Sequence, residues 1–351
     1  MLDGIRVVDL SRLLPGPMAS WYLRGMGAEV IKVEDPAVGD YLRFSPPFRA
    51  DGSSAWFAML NAGKRSLTLD LKQPDAQDAL RRLLMSTDVL IESFRPGVMA
   101  RLGLDPKHLR LSHPHLVIAS ISGFGQEGAR AADPGHDLGY CGLAGSLSLN
   151  ARHDGVPDLP ALPLADMAGG ALTTAMTVSA ALFARERTGA GRWLDLSMTD
   201  GVLALMSPYL SAAASGHQAI PGGDVLTGGW ARYGLYRCQD DRLIALAAIE
   251  DQFWSRLSEL LGEPAPEDHH ALAAIFARKP RDEWCSLLAP ACVTPVLELQ
   301  EVLDAAMHRD RQVWRGQGAD QRVSPNFFSD RDFVTLPAPS LGEANHEFLR
   351  E

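Results

Sequence analysis

Apolar positions in this chain fall into short strand-like runs separated by stretches of helical period. Residues 5–11 (IRVVDLS) and 29–34 (EVIKVE) read as strands, and residues 16–25 between them can form a helix. Two more apolar runs, 88–92 (DVLIE) and 116–122 (LVIASIS), stand on either side of later turns and follow a helical pattern over 76–85. Strand, helix, strand is the opening of a parallel α/β layer, so the first half reads as Rossmann-like.

The period then lengthens. Residues 166–187 are rich in Ala, Gly and Thr and predict one helix that approaches its neighbours closely, with Gly169 and Gly170 leaving room for a bulky substrate. A glycine break at 189–191 precedes a strand at 193–198, and Asp200 is expected to cap a helix over 201–209. The turn-rich stretch 215–229 reads as a linker. A second compact region follows, with a strand-like run at 242–250, helical patterns over 252–261, 270–288 and 302–309, and a tail of proline turns with a short helix over 337–349.

With 351 residues, 46% hydrophobic and 22% charged, the chain can bury a sizeable core. A formal charge of -10 argues against general affinity for nucleic acid or an anionic membrane. The weakly polar run 171–184 falls short of the roughly 20 apolar residues a span needs, and reads as a buried helix. The start MLDGIRVVDL shows no basic-then-apolar leader. Cys141, Cys238, Cys285 and Cys292 are scattered, with no Cys/His spacing suited to a metal. Reduced thiols, a cytoplasmic location, no metal and no nucleic-acid or membrane partner are the expectations.

The turn after the first strand tests for a dinucleotide site. It reads Leu14-Pro15-Gly16-Pro17-Met18-Ala19, and two prolines displace the GxGxxG pattern, which argues against a nicotinamide dehydrogenase. Glu34, ending the second strand, reads as a ribose acceptor or as a solvated strand end. Asp166 opens a helix and is either a plain cap or an ionised carboxylate in a glycine-lined site. His136-Asp137, behind Gly135 in PGHDLGY, is either a capped turn or a proton-handling pair, since imidazole titrates near neutrality. Glu250 closes the run LIALAAIE, where α/β sites gather or where a strand simply ends. Residues 64–110 carry nine Lys/Arg against six Asp/Glu, a local positive patch suited to an anionic ligand or to a solvated helix face.

Six ordered blocks, LDGIRVVDLSRLLPGPMAS, LNAGKRSLTLDLK, DVLIESFRPGVMARLGLD, ISGFGQEG, PGHDLGY and PLADMAGG, with PAPSLGE near the end, resemble the class III CoA-transferase (CaiB/BaiF) superfamily over nearly the whole chain. The resemblance implies an α/β fold and an interlocked homodimer. Its Rossmann-like large domain would cover 1–214, completed by 322–351, with a linker at 215–229 and a smaller α/β domain at 230–321. It also implies an acyl-CoA thioester substrate, with CoA entering as part of that substrate rather than as a cofactor. Lys64, Arg65, Leu71, Lys72, Arg95 and Arg101 match motif positions that line the nucleotide part of the pocket.

Two chemistries share the aspartate matching Asp166. In transferases it attacks the thioester. In the α-methylacyl-CoA racemase branch, aspartate and histidine exchange a proton across the α-carbon. His136 stands where transferases usually have Tyr, and Glu250 in AAIEDQFW resembles a racemase glutamate that supports the histidine. The resemblance thus implies His136, Asp166, Glu250 and Asp137 as the catalytic set. Its first expectation is racemisation of 2-methylacyl-CoA thioesters, and the alternative is CoA transfer through an aspartyl-CoA thioester on Asp166. The chain departs from the pattern at Asp35 and at Leu162, where relatives usually carry Arg and Asn.

Overall fold

The computed structural model describes residues 1–150 and 158–349. The chain divides into two compact units: Met1–Ala144 with Ala161–Met206 and Met307–Glu351, and Gly145–Pro160 with Ser207–Ala306.

The first unit is an α/β layer. In chain order it contains β1 (Arg6–Asp9), α1 (Pro15–Gly25), β2 (Glu29–Glu34), α2 (Ala55–Leu60), β3 (Arg65–Thr68), α3 (Pro74–Leu84) and β4 (Val89–Glu92). Then come α4 (Val98–Arg101), α5 (Pro106–Ser112), β5 (Val117–Ser122), α6 (Asp137–Leu143), a π-helical run (Ala165–Leu172) leading into α7 (Thr173–Thr188), β6 (Trp193–Ser197) and α8 (Met198–Leu205). The six strands pair in the order β3-β2-β1-β4-β5-β6, all parallel. Their residues are buried on both faces in β4 and β5, as a helix-covered parallel sheet requires. Chain progression reverses between β1 and β4, so the crevice at their C-terminal ends is where such a sheet takes a ligand.

Glycines decide how α8 meets the π-helical run. A Cβ on Gly201 would collide with the backbone of Gly169, and one on Gly169 would collide with the carbonyl of Met198. A Cβ on Gly170 would stand 3.1 Å from the side chains of Met198 and Pro15, a tight fit rather than a backbone collision. Gly169 and Gly201 serve backbone crossing and Gly170 faces side chains, so the room for substrate expected at Gly169 and Gly170 is filled by protein. Gly201→Ala should cost about 1–3 kcal/mol, because backbone cannot yield as a side chain can; thermal unfolding against the parent chain checks it, and an unchanged midpoint would contradict the crossing.

Two local expectations change. Ser197, not Asp200, caps α8: its Oγ accepts the N–H of Asp200 at 3.1 Å, leaving Asp200 in the first turn. Helical conformation also runs unbroken over Ala165–Thr188, 24 residues, long and apolar enough by composition to cross a membrane. Its length exceeds the apolar run because the turns on either side of that run, Ala165–Gly170 and Arg185–Thr188, are helical too. The helix packs on α1 and on β5 and β6, and Val178, Ala181 and Leu182 are buried there.

The second unit holds α9 (Ser207–Ala214), an antiparallel sheet in the order β7 (Tyr233–Arg237), β8 (Leu243–Ala247), β9 (Val293–Pro295), and α10 (Asp251–Leu261), α11 (His269–Phe276) and α12 (Arg281–Leu288). Ile244, Leu246, Leu257, Phe276 and Trp284 form its core.

Candidate active site

Two cavities open over the C-terminal ends of the sheet. The larger, about 530 Å³, is lined by residues that follow β1, β2, β3 and β4, among them Leu10, Asp35, Leu71, Lys72 and Arg95. The smaller, about 340 Å³, takes Ser122–Phe124 after β5 as well as His136, Tyr140 and Asp166. Arg12, Tyr41, Ser93, Phe94 and Arg95 line both, so the two join along the central strands.

His136 is the N-cap of α6 through its backbone, in extended conformation, its carbonyl accepting from Gly139 at 2.9 Å and Tyr140 at 3.3 Å. Its side chain is therefore free of capping duty and exposed at the cavity. The turn before it depends on glycine: a Cβ on Gly135 would stand 2.5 Å from the Tyr140 ring, which packs edge-on against Phe124 at 5.1 Å.

Asp166 sits in the first turn of the π-helical run, half-buried. Its N–H is taken by Asp137 Oδ1 at 2.9 Å, so Asp137 caps the Asp166 turn rather than its own helix. That bond also removes this N–H from the donors available to an enolate. The carboxyl of Asp166 is pushed up to about 6, first by burial and then by the Asp137 carboxylate, with His136 pulling the other way. An acid that gains and loses its proton near neutral pH is suited to proton transfer as well as to attack on a thioester.

The basic positions separate by environment. Leu71, Lys72 and Arg95 line the larger cavity. Arg101 is exposed at the end of α4 and is not among the residues lining either cavity. Arg65 pairs with Glu347. Lys64 corrects the expectation of a phosphate contact: it is 2% exposed, and its ammonium meets Ser20 Oγ at 2.7 Å, the Pro17 carbonyl and Asn61 Oδ1 at 2.9 Å, and Asp9 Oδ2 at 3.4 Å. Three N–H donors facing four internal acceptors leave none for a ligand. Glu34 is neither a solvated strand end nor a ribose acceptor, since Arg43 holds it through two bonds of 2.8 and 2.7 Å and Ser66 Oγ donates to it at 2.7 Å.

Glu250 belongs to the second unit. It is the exposed N-cap of α10 and lines a cavity of about 460 Å³ with Trp230, Arg232, Asp251 and Glu267. Arg232 bridges Asp251 at 2.7 Å and Glu267. Leu162 is 65% exposed, before the first helical turn, while the Pro163 carbonyl accepts from Met167 at 2.9 Å.

Sequence reasoning missed Arg12 and Glu92. Arg12 carried a readable signal, a cation three residues past the first strand. Glu92 ends β4, accepts the N–H of Phe94 at 2.8 Å, and is raised to about 7 by burial, placing a part-protonated acid beneath the Ser93–Arg95 segment.

The model of CoA-transferase family III matches residues 2–345. The chain belongs to CoA-transferase family III. Across this family it is 38% identical to an alpha-methylacyl-CoA racemase of Homo sapiens, over all of the chain and 93% of that protein. It is also 37% identical to a succinate–glutarate CoA-transferase of Agrobacterium fabrum, over 79% of the chain and 70% of that protein. A solved CaiB/BaiF family protein from Brucella suis superposes with a TM-score of 0.85 at 30% identity, covering 98% of this chain and 97% of that one. The parallel six-stranded sheet is thus the sheet of an enzyme family whose members include both racemases and CoA-transferases.

Proposed function

We propose that this family III enzyme interconverts the two configurations of a 2-methylacyl-CoA thioester by 1,1-proton transfer. The observation that carries the reading is the pairing of His136 with Asp166 on one cavity, the acid tuned to about 6. One of the pair removes the α-proton, its electron pair moves into the thioester carbonyl to give an enolate, and the other returns a proton to the opposite face. Solvent exchange then resets the pair. The N–H groups of Asp137 and Leu138, which open α6 beside His136 and have no partner among the described residues, are the donors this reading assigns to the enolate oxygen. The resemblance gives Glu250 the task of orienting the imidazole, so Glu250→Gln should slow exchange without abolishing it.

The reading includes a homodimer, supported by exposed apolar side chains on α7, Met176 at 65% and Phe183 at 61%; mass in solution tests it. Incubation with one 2-methylacyl-CoA enantiomer in heavy water, with no acceptor acid, tests the chemistry. Deuterium should enter the α-position, and His136→Ala should slow entry about 10²–10⁴-fold. The kcat/KM profile should fall below about pH 6 as the Asp166 carboxylate takes up a proton. The rival reading, CoA transfer, draws on the same carboxylate and on the Agrobacterium relative. No α-exchange, together with an aspartyl-CoA adduct trapped by hydroxylamine, would decide for it.

A further inference from the structure

We infer that Arg12, with Arg95, grips the diphosphate of the CoA nucleotide where the two cavities meet. The inference deepens the acyl-CoA reading and rests on it. Arg12 lines both cavities, its guanidinium 4.9 Å from the centroid of the Tyr41 ring and 6.0 Å from that of Phe94. Among the described residues it has no hydrogen bond or ion pair. A half-buried guanidinium presents five donors in a fixed plane, and rings against its face leave its edge for an anion.

The backbone on each side of Arg12 is pinned by buried charge. The Ser11 N–H donates to Asp9 Oδ1 at 2.9 Å and its carbonyl accepts from Lys32 Nζ at 2.9 Å. The Leu13 N–H donates to Asp40 Oδ1 at 3.1 Å, and Asp40 in turn pairs with Lys32 at 2.8 Å, both side chains fully buried. Leu13 is held at φ 64, a region that residues other than glycine seldom enter, so the support outweighs a local cost. Support of this kind fixes the position of the one side chain left unpaired between the two pinned residues.

Position selects the ligand group. A CoA ester with its reacting carbon at Asp166 and its adenosine in the larger cavity must pass its charged linker across the residues the cavities share. Of those five, only Arg12 and Arg95 are charged. Four carboxylates line the larger cavity: Glu34 is neutralised by Arg43 and Asp40 by Lys32, while Asp35 and Asp70 accept from the N–H groups of their own turns, away from the five shared residues. Two cations therefore face the two negative charges of a diphosphate.

The test compares the full chain with Arg12→Met and Arg12→Lys on three thioesters of one acyl group: CoA, dephospho-CoA and pantetheine. Arg12→Met should raise KM for the CoA and dephospho-CoA thioesters by roughly 10- to 100-fold with kcat held within about threefold, and leave the pantetheine thioester unchanged. Arg12→Lys should recover part of the loss, since it keeps the charge without the planar fork. A loss that disappears with dephospho-CoA would move Arg12 to the 3′-phosphate and overturn the assignment. An equal loss with the pantetheine thioester, or no loss at all, would also overturn it. Should the parent chain neither bind nor turn over any CoA thioester, the acyl-CoA reading itself falls, a result distinct from all of these.

Discussion

Asp166→Asn is expected to lose about 10²–10⁴-fold in α-proton exchange and yet to unfold at a higher temperature than the parent chain above pH 6. The loss follows because an amide neither takes nor returns a proton at the α-carbon. The gain follows from the direction of the carboxyl's shift. Its folded value is about 6 against an ordinary 3.8, so the native state binds more protons than the unfolded chain between those values. Stability of the parent chain then falls as pH rises from about 4 to about 6, and stays lowered above that. A shift of this size corresponds to about 3 kcal/mol at most, and partial solvent access brings the expected gain to about 1–2 kcal/mol. Melts at pH 4 and pH 8 check it: the two proteins should coincide at the lower pH and separate at the higher. A variant that melts below the parent at both would mean that Asp166 holds structure rather than strain. Exchange that survives the substitution would remove Asp166 from the chemistry.

The parallel sheet was legible because β1, β2, β4, β5 and β6 are dense in Val, Ile and Leu and lie between turns or helical patterns. β3 escaped because Arg65-Ser66-Leu67-Thr68 has only one strongly apolar residue; it becomes a strand by pairing with β2 at the edge of the sheet. β9 is three residues long and carries no period at all. At the site, His136 and Asp166 stood out as residue types with a task, and their shared cavity needed the crossing of α8 over Gly169. The partners of Lys64 and Glu34 were not readable. A lysine beside an arginine at a turn looks like a phosphate contact until the fold brings Asp9, Ser20 and Asn61 around it. Arg12 was readable only as a cation just past the first strand; that it makes no hydrogen bond or ion pair among the described residues is a property of the packed molecule.

Lys64→Met should lower the melting temperature by roughly 10 °C, with KM for a CoA thioester changed less than about threefold, as removing one member of a buried ion pair costs about 3–5 kcal/mol. The carboxylate of Asp9 is fully buried. Burial alone would raise it, but Lys64, Lys32, Ser11 and Ser20 together hold it below the ordinary carboxylate range. The ammonium of Lys64 is brought down to about 8, chiefly by burial and with Lys32 adding to the effect, while Asp9 opposes it. Taking the ammonium away leaves Asp9 with Lys32 and two hydroxyls, and also frees the Pro17 carbonyl and Asn61 Oδ1 from their donor. Because the cost lies in the orphaned acid, adding Asp9→Asn to Lys64→Met should restore part of the stability, a coupling that a double-mutant cycle reads directly. A surface lysine devoted to phosphate would give the opposite pattern, an unchanged melting temperature with a large rise in KM. That pattern would return Lys64 to the nucleotide site and show that the network around Asp9 opens in solution.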